Sequence, residues 1–264
     1  MTAIPDTSTI VSSVRDPVRI VPLHVPDDLV KPLDGAAASA PKLTYRGGPL
    51  LTSVKVFTVY WGDAWSTPPL SDLASKLDKF FDFVLTSELM DQMAEYSVAG
   101  KKIGHGSHIG RVVVSDPAPK QVVSDATIQH LLERKLGDTK AGFPAADGNT
   151  LYFIYLPPGS VVVQGGSRSC QAFCGYHSDI DGKIFYAAMP YPGCRGCTGD
   201  LALFDALTST SSHELCEAIT DPVPGGGWYD DAHGEIGDIC AWKTRQLGGY
   251  TVQLEWSNNK NSCG

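Results

Sequence analysis

Residues 201–222, LALFDALTSTSSHELCEAITDP, combine an apolar repeat with a cluster of ionisable side chains. The apolar side chains recur at the spacing of one helix face: Leu201, Phe204, Leu207, Leu215 and Ile219. Asp200, just before the repeat, is a residue type that caps helix N-termini. The stretch therefore predicts a buried helix. Charged side chains on such a helix need a partner inside the protein, and a cation is one that fits.

His213 and Glu217 lie four residues apart, which places them one turn apart on the same face of this helix. An imidazole nitrogen and a carboxylate oxygen at that spacing can hold one metal ion between them. Glu214 would project beside the ion rather than onto it. This is the arrangement of the zinc-protease helix, in which the glutamate after the first ligand is the general base. The second ligand position differs, because it carries Glu where that motif has His.

A Gly-rich stretch at 227–240, GWYDDAHGEIGDIC, supplies further ligand types. Glu235 or Asp238 is predicted to be the third ligand of the ion. Tyr229 or His233 is predicted to stabilise the oxyanion that develops during hydrolysis, and the sequence leaves both open. The alternative interpretation of the helix is a histidine held by internal hydrogen bonds, with its glutamates at the surface.

Length, composition and charge exclude several classes of protein. The chain has 264 residues, 42% of them hydrophobic, which suffices for one large domain or for a domain with an extension. Its net charge of −8, without a basic cluster, argues against a nucleic-acid partner. No apolar run is long enough to span a bilayer, so no membrane partner is expected. Residues 1–20 also lack the apolar core of a signal peptide.

The first 45 residues are predicted to form an extension that precedes the domain at 46–264. An Ala/Ser patch and six prolines disfavour a regular helix or a central strand there: Pro5, Pro17, Pro22, Pro26, Pro32 and Pro41. The extension is interpreted as a linker, a pro-segment or a surface strap, with an edge strand at 18–23. A mobile tail is the alternative.

Within the domain, β-rich runs alternate with amphipathic helical stretches. Strands are predicted at 54–61, 111–114, 150–156, 161–164, 183–189 and 250–256. Helices are predicted from 71 to 85 with Ser71 as the cap, at 88–96 and at 125–136, in addition to the helix that carries His213. This alternation predicts an α/β or α+β fold with a single mixed β-sheet and packed helices.

The seven cysteines predict disulfide bonds and therefore an oxidising compartment. Three bonds are expected, the first two local to a surface loop: Cys170–Cys174, Cys194–Cys197 and Cys240–Cys263. Cys216, on the helix, is left as a buried thiol. The alternative is a four-cysteine zinc site formed by the two close pairs.

Three other histidines are weaker site candidates. His177 lies in the same predicted surface loop, where a neighbouring disulfide would fix its position, and it is interpreted as a residue that orients the substrate. His105 and His108 lie close together in a second predicted loop. Two nearby imidazoles can bind a metal ion, and solvated loop histidines are the alternative.

Several motifs occur in a specific order along the chain, at residues 47–50 leading into 56–61, and then at 174–177, 212–218, 220–222 and 235–240. In this order they resemble the EXORDIUM-like (phosphate-induced) proteins and their bacterial relatives. The resemblance covers residues 47–264 and leaves the Pro-rich extension unmatched. The plant members imply a secreted, cell-wall-associated growth protein. The bacterial members imply a metallopeptidase domain of zincin type.

Two functional hypotheses follow. In the first, the protein is a zinc-dependent peptidase acting on a peptide or protein substrate, with His213 and Glu217 as ligands and Glu235 or Asp238 as the third. Water fills the open fourth position, and Glu214 takes its proton. Because this ligand set is rich in carboxylates, Ca²⁺ or Mn²⁺ is the alternative to zinc. In the second hypothesis the metal is structural and the protein binds a wall polymer or a partner. Both place the protein outside the cell or in the cell envelope.

Overall fold

Most of the apolar runs of the sequence form strands of one mixed sheet, with helices packed on both faces. The computed structural model describes residues 21–24 and 40–264. The strands of the described chain are β1 Val21–Pro22, β2 Thr44–Tyr45, β3 Lys55–Trp61, β4 Ser107–Val114, β5 Val122–Ser124, β6 Thr150–Tyr155, β7 Val161–Gln164, β8 Ser167–Arg168, β9 Phe173–Ile180, β10 Ile184–Met189, β11 Trp228–Tyr229, β12 Thr244–Leu247, β13 Tyr250–Gln253, β14 Trp256–Ser257 and β15 Ser262–Cys263. Its α-helices are α1 Leu70–Val84, α2 Glu88–Met93, α3 Asp125–Gly137, α4 Arg195–Thr198 and α5 Leu203–Thr220.

The main sheet has six strands in the order β1-β9-β10-β6-β3-β4. Neighbours from β10 through β6 and β3 to β4 are parallel, whereas β9 is antiparallel to both β10 and β1. Smaller sheets pair β5 with β7 and β7 with β8, β2 with β11, β12 with β13, and β14 with β15. The predicted mixed sheet of an α+β fold is confirmed, and the small sheets are additional to it.

Strand β6 shows why the central strands appear in the sequence as continuous apolar runs. Leu151, Phe153 and Tyr155 belong to the core shared with α1, α2 and α5, whereas Tyr152 and Ile154 belong to the core shared with α3. Both faces are therefore buried, and after Thr150 at its start the strand is occupied by apolar and aromatic residues alone. Each such buried side chain contributes about 1.5–3 kcal/mol to folding.

Two predicted helix caps are wrong, although the helices themselves are present. Ser71 lies inside α1, which begins one residue earlier after Pro69. Helix α5 begins at Leu203, and Ala202 at its N-cap makes no side-chain cap bond. Asp200 lies in the preceding turn, where its exposed carboxylate is 3.8 Å from the Arg195 guanidinium. By contrast, Ser124 caps α3 by accepting a hydrogen bond from the backbone N–H of Thr127.

Helix α5 is buried on every side over residues 206–220. It packs between the main sheet and the β12–β13 hairpin. The serine and threonine side chains that precede His213 bond to these neighbours. Thr208 Oγ1 donates to the Thr251 carbonyl at 2.7 Å, and Ser212 Oγ accepts from the Gln253 N–H at 2.9 Å. Small hydroxyl side chains thus let the elements approach closely while their polar atoms stay paired.

Strand β9 corrects the surface loop predicted around the first of the two close cysteine pairs. Residues 173–180 instead form a strand of the main sheet, almost all of it buried under α5. Gly175 permits this packing, because a Cβ there would lie 2.9 Å from Thr210 Cγ2 and 3.1 Å from Glu214 Oε1. Gly175, which is typical of a loop in the sequence, is required here because β9 and α5 lie in close contact.

Parts of the predicted extension belong to the sheets. Val21 and Pro22 pair with β9 at the edge of the main sheet, within the region predicted as an edge strand. The indole N–H of Trp242 donates to the Pro22 carbonyl at 3.0 Å. Further on, β2 pairs with β11. The other predictions for residues 1–20 and 25–39 concern a part of the chain outside the described residues.

Two of the three predicted disulfide pairings are wrong. The structure forms Cys170–Cys194 and Cys174–Cys197, and confirms Cys240–Cys263 with Cys216 free and buried. Each cysteine of the first close pair is bonded to one cysteine of the second. The start of β9 lies alongside α4, so two parallel cross-links join these segments. The same bonds exclude the four-cysteine zinc site, since they consume its thiolates.

Three disulfides indicate an oxidising environment, in agreement with the composition argument. Within residues 21–24 and 40–264, no helix combines the length and the apolar character that a bilayer span requires.

Tryptic mapping without reduction tests the disulfide pairing. Cleavage after Arg168, Lys183 and Arg195 separates the four cysteines into peptides 169–183, 184–195 and 196–243. We expect 169–183 to be linked to both of the other peptides. Local pairing would instead release 169–183 as a free peptide with an internal bond.

Removing a cross-link should also lower stability. We expect the Cys170→Ala/Cys194→Ala double variant to lose about 2–3 kcal/mol of unfolding free energy, because the removed bond closes only a short loop in an unfolded chain that keeps Cys174–Cys197. Chemical denaturation monitored by tryptophan fluorescence measures this. An unchanged midpoint and slope would contradict it.

Candidate metal centre

Ionisable side chains from three elements, one of them α5, converge in the interior of the protein. The helix contributes His213, Glu214 and Glu217. Strand β9 contributes His177, and the Gly-rich segment after β11 contributes Glu235 and Asp238. All except Asp238 are completely buried. Such a concentration of buried charge requires either protons or a cation to neutralise it.

On one side of the cluster, the i, i+4 pair on α5 meets the Gly-rich segment. His213 Nε2 lies 2.9 Å from Glu217 Oε1. The backbone N–H of Asp238 donates to the same oxygen at 3.1 Å. One ligand-type atom from each of these three residues lies within 4.8 Å of the other two. The structure thus brings together His213, Glu217 and one of the two predicted third ligands.

On the other side, His177 faces the same helix. Its Nε2 lies 3.0 Å from the Asp221 carbonyl oxygen, just past the C-terminus of α5. Its Nδ1 lies 3.2 Å from Glu214 Oε2 and 3.5 Å from Glu217 Oε2. His177, Glu214 and Glu217 form a second group of potential ligands within 4.8 Å of one another. This buried group is able to hold a metal ion.

His177 was underestimated from the sequence, because its strand was interpreted as a loop. A usable signal was present at Asp181-Gly182, a dipeptide that favours tight hairpins. Both residues have positive φ and connect β9 to β10. A hairpin turn at this position predicts that the residues before it form a strand paired with the strand predicted at 183–189.

Glu235, the other predicted third ligand, lies at the back of the cluster. Its Oε1 is 3.6 Å from His177 Nε2. It also adjoins the Asp221 carboxylate, which accepts backbone N–H bonds from Gly225, Gly226 and Gly227. Burial, opposed by the charge of His177, raises the pKa of Glu235 well above its ordinary value. Burial raises the pKa of Asp221 as well, against the contact with Glu235 and the glycine N–H bonds, which lower it.

Several oxygens and nitrogens in the cluster have no hydrogen-bond partner, although they are inaccessible to solvent. Among the described residues these atoms include Glu214 Oε1, Glu217 Oε2, both Glu235 carboxyl oxygens and both ring nitrogens of His213. The His213–Glu217 contact is short but is not aligned as a hydrogen bond. Unpaired buried polar atoms are costly and rare in proteins. Converging nitrogen and carboxylate atoms in this state fit a metal ion.

The pKa shifts show that the cluster is short of positive charge. Burial opposes protonation of His177 and His213, but the surrounding carboxylates outweigh it and raise the pKa of both imidazoles well above its ordinary value. For the carboxyl group of Glu214, burial acts in the other direction and raises the pKa. Glu217 is the exception: despite its burial, the positive charge of His213 and its close contacts with both imidazoles lower its pKa to about 2. Glu217 is thus the residue that stays anionic.

Tyr229 and His233, the predicted oxyanion partners, belong to neither ligand group. The Arg46 guanidinium stacks over the Tyr229 ring, 4.3 Å from its centroid. His233 Nδ1 lies 2.9 Å from Asp230 Oδ1. The short segment 229–234 is organised by these contacts.

Gly237 lets the Gly-rich segment lie directly on the His213 ring. A Cβ at this position would lie 2.8–2.9 Å from three atoms of the imidazole. The backbone has an ordinary φ of −80°, so the requirement is space and not an unusual conformation. The glycine therefore fixes how closely Asp238 approaches His213.

We expect Gly237→Ala to destabilise the protein by about 1–3 kcal/mol and to weaken metal binding, because the methyl group displaces the imidazole or the segment. Gly137→Ala is the matched control, since the end of α3 offers open space for a Cβ. Thermal unfolding and metal analysis of both variants measure the two effects. Equal behaviour of the two variants would contradict this role for Gly237.

No protein-family model and no curated protein matches the sequence. The geometry of the site is therefore the basis for inferring its function.

Proposed function

We propose that the protein is a metal-dependent peptidase, in which His213, Glu217 and Asp238 hold a zinc ion and Glu214 is the general base. The observation that carries the proposal is the convergence of unpaired, solvent-inaccessible nitrogen and carboxylate atoms on one helix that has the His-Glu-x-x-Glu spacing. A buried structural ion pair would leave far fewer of these atoms unpaired.

The donor set fits zinc best among the common divalent ions. One imidazole and two carboxylates give three protein ligands, the number typical of a catalytic zinc site that keeps one position open. An imidazole ligand disfavours Ca²⁺, which takes oxygen ligands almost exclusively. Mn²⁺ tolerates both donor types and is the alternative.

The ion, when bound, would polarise the scissile carbonyl and acidify the attacking water. Glu214 accepts the proton that this water loses and delivers it to the departing amine nitrogen as the C–N bond breaks. Burial raises the pKa of Glu214, which moves it toward the working range of a base near neutral pH. His177 positions this base through the 3.2 Å contact with Oε2, and leaves Oε1 without a partner.

A second candidate function is a non-catalytic binding or signalling protein with a structural metal ion, as the EXORDIUM-like resemblance implies for the plant members. The complete burial of His177, His213, Glu214 and Glu217 favours it, because a peptide cannot reach them unless the covering elements move. Under either function, the disulfides support a protein that is secreted or held in the cell envelope.

Substitution of Glu214 separates the two functions. Glu214→Gln preserves volume but cannot accept a proton, so we expect peptide hydrolysis to fall by roughly two to four orders of magnitude. At least one equivalent of zinc should remain bound, because the His213 side of the cluster is intact. A peptide library read by mass spectrometry identifies a substrate, and zinc analysis of the same preparation measures the metal.

Two further variants control this experiment. Glu133→Gln, at a half-exposed position on α3, makes the same chemical change away from the cluster and should leave hydrolysis unchanged. His213→Ala removes a ligand and should abolish metal and activity together. Wild-type protein that binds zinc but cleaves no member of the library would favour the structural-metal function.

A further inference from the structure

The two ligand groups share one residue, Glu217, and they use its two oxygens separately. Oε1 lies 2.9 Å from His213 Nε2 and accepts the Asp238 N–H. Oε2 points to the other side, where it lies 3.5 Å from His177 Nδ1 and has no hydrogen-bond partner. The carboxylate thus spans two imidazoles that come from different elements of the fold.

The hydrogen-bonding of His177 determines which of its nitrogens is available. A carbonyl oxygen only accepts hydrogen bonds, so the Nε2 atom that contacts the Asp221 carbonyl carries a hydrogen. In the neutral ring, Nδ1 then presents a lone pair toward Glu214 Oε2 and Glu217 Oε2. Three electron-rich atoms face one another there. A positive species must lie among them, and it is either a proton on Nδ1 or a metal ion.

The number of unpaired acceptors distinguishes these two species. A proton on Nδ1 forms one good hydrogen bond, to Glu214 Oε2, and leaves Glu217 Oε2 unpaired. A divalent ion takes several ligands at once, and so satisfies the imidazole and both carboxylates together. The bond from Nε2 to a backbone carbonyl is also the support that metal-binding histidines commonly have.

We propose that the centre holds two divalent cations bridged by the Glu217 carboxylate, the first at His213 and Asp238 and the second at His177 and Glu214. This inference rests on the proposed metal centre and adds a second metal position to it. Bridging carboxylates are typical of hydrolases that use a pair of ions ~3.5–4 Å apart. Glu217, set between two imidazoles, is suited to the bridging role.

The two-ion arrangement gives each oxygen of Glu214 a distinct role. Oε2, which faces His177, binds the second ion. Oε1, which is buried and unpaired, remains available to accept a proton. His177 is accordingly a metal ligand in this arrangement, and its contact with Glu214 reflects a shared ion.

Metal stoichiometry of the intact chain tests the proposal. The full-length protein, stripped with a chelator and dialysed, is titrated with Zn²⁺ alone and examined by native mass spectrometry and elemental analysis. We expect two equivalents per chain. His177→Ala should lose one of them, and His130→Ala, at an exposed histidine on α3, should keep both.

A measurement on the wild-type protein tests the bridge itself, and it holds even if His177→Ala does not fold. Mn²⁺-loaded protein should give the electron paramagnetic resonance spectrum of a spin-coupled pair, because a shared carboxylate couples the two ions. Two ions with uncoupled, isolated signals would overturn the bridge and the proposal with it.

The outcomes separate this inference from the proposed function. The wild type could instead bind one equivalent of zinc that His213→Ala loses and His177→Ala keeps. That result would overturn the second metal position and leave the peptidase proposal standing. No bound metal at all would overturn both. Retention of both equivalents by His177→Ala would show that the second ion lies elsewhere, and would also overturn the proposal.

Discussion

Burial of charge on α5 is the constraint on which the rest of the structure depends. The helix is enclosed over residues 206–220 and carries one imidazole and two carboxylates into the interior. Two neighbouring elements supply groups that compensate for part of this charge. Strand β9 supplies His177, the Gly-rich segment supplies the Asp238 N–H, and Gly175 and Gly237 allow the close approach that these contacts need. Compensation is complete only with protons or a cation, and Glu217, whose pKa the charge of His213 lowers, lies between the two imidazoles.

Periodicity and spacing predicted a large part of this arrangement. The apolar runs that became β3, β6 and β10 are buried on both faces, so their pattern is simple and their positions in the sequence are clear. The relation of His213 to Glu217 is local, since four residues of helix bring them within 2.9 Å. An interaction contained in one turn of one helix is visible in the sequence before the fold is known.

The remainder depends on contacts between distant segments, which spacing does not encode. Strand β9 carries Cys, Gly, Ser and His because it lies under a helix and bonds to it, and these residue types resemble a loop in the sequence. The pairing of Cys170 with Cys194 follows from the placement of β9 beside α4 and not from the distance along the chain. The position of His177 in the cluster also depends on where β9 lies in the sheet, which the sequence spacing does not specify.

The bonds Cys170–Cys194 and Cys174–Cys197 make the position of His177 depend on the redox chemistry of the cell compartment. Cys174 lies three residues before His177 on β9, and its bond to Cys197 anchors the beginning of that strand. While the thiols are reduced, the imidazole lacks this anchor and the ligand set is less well preorganised. Under the proposed metal centre, oxidation should therefore come before metal uptake, and protein with reduced thiols should load metal poorly.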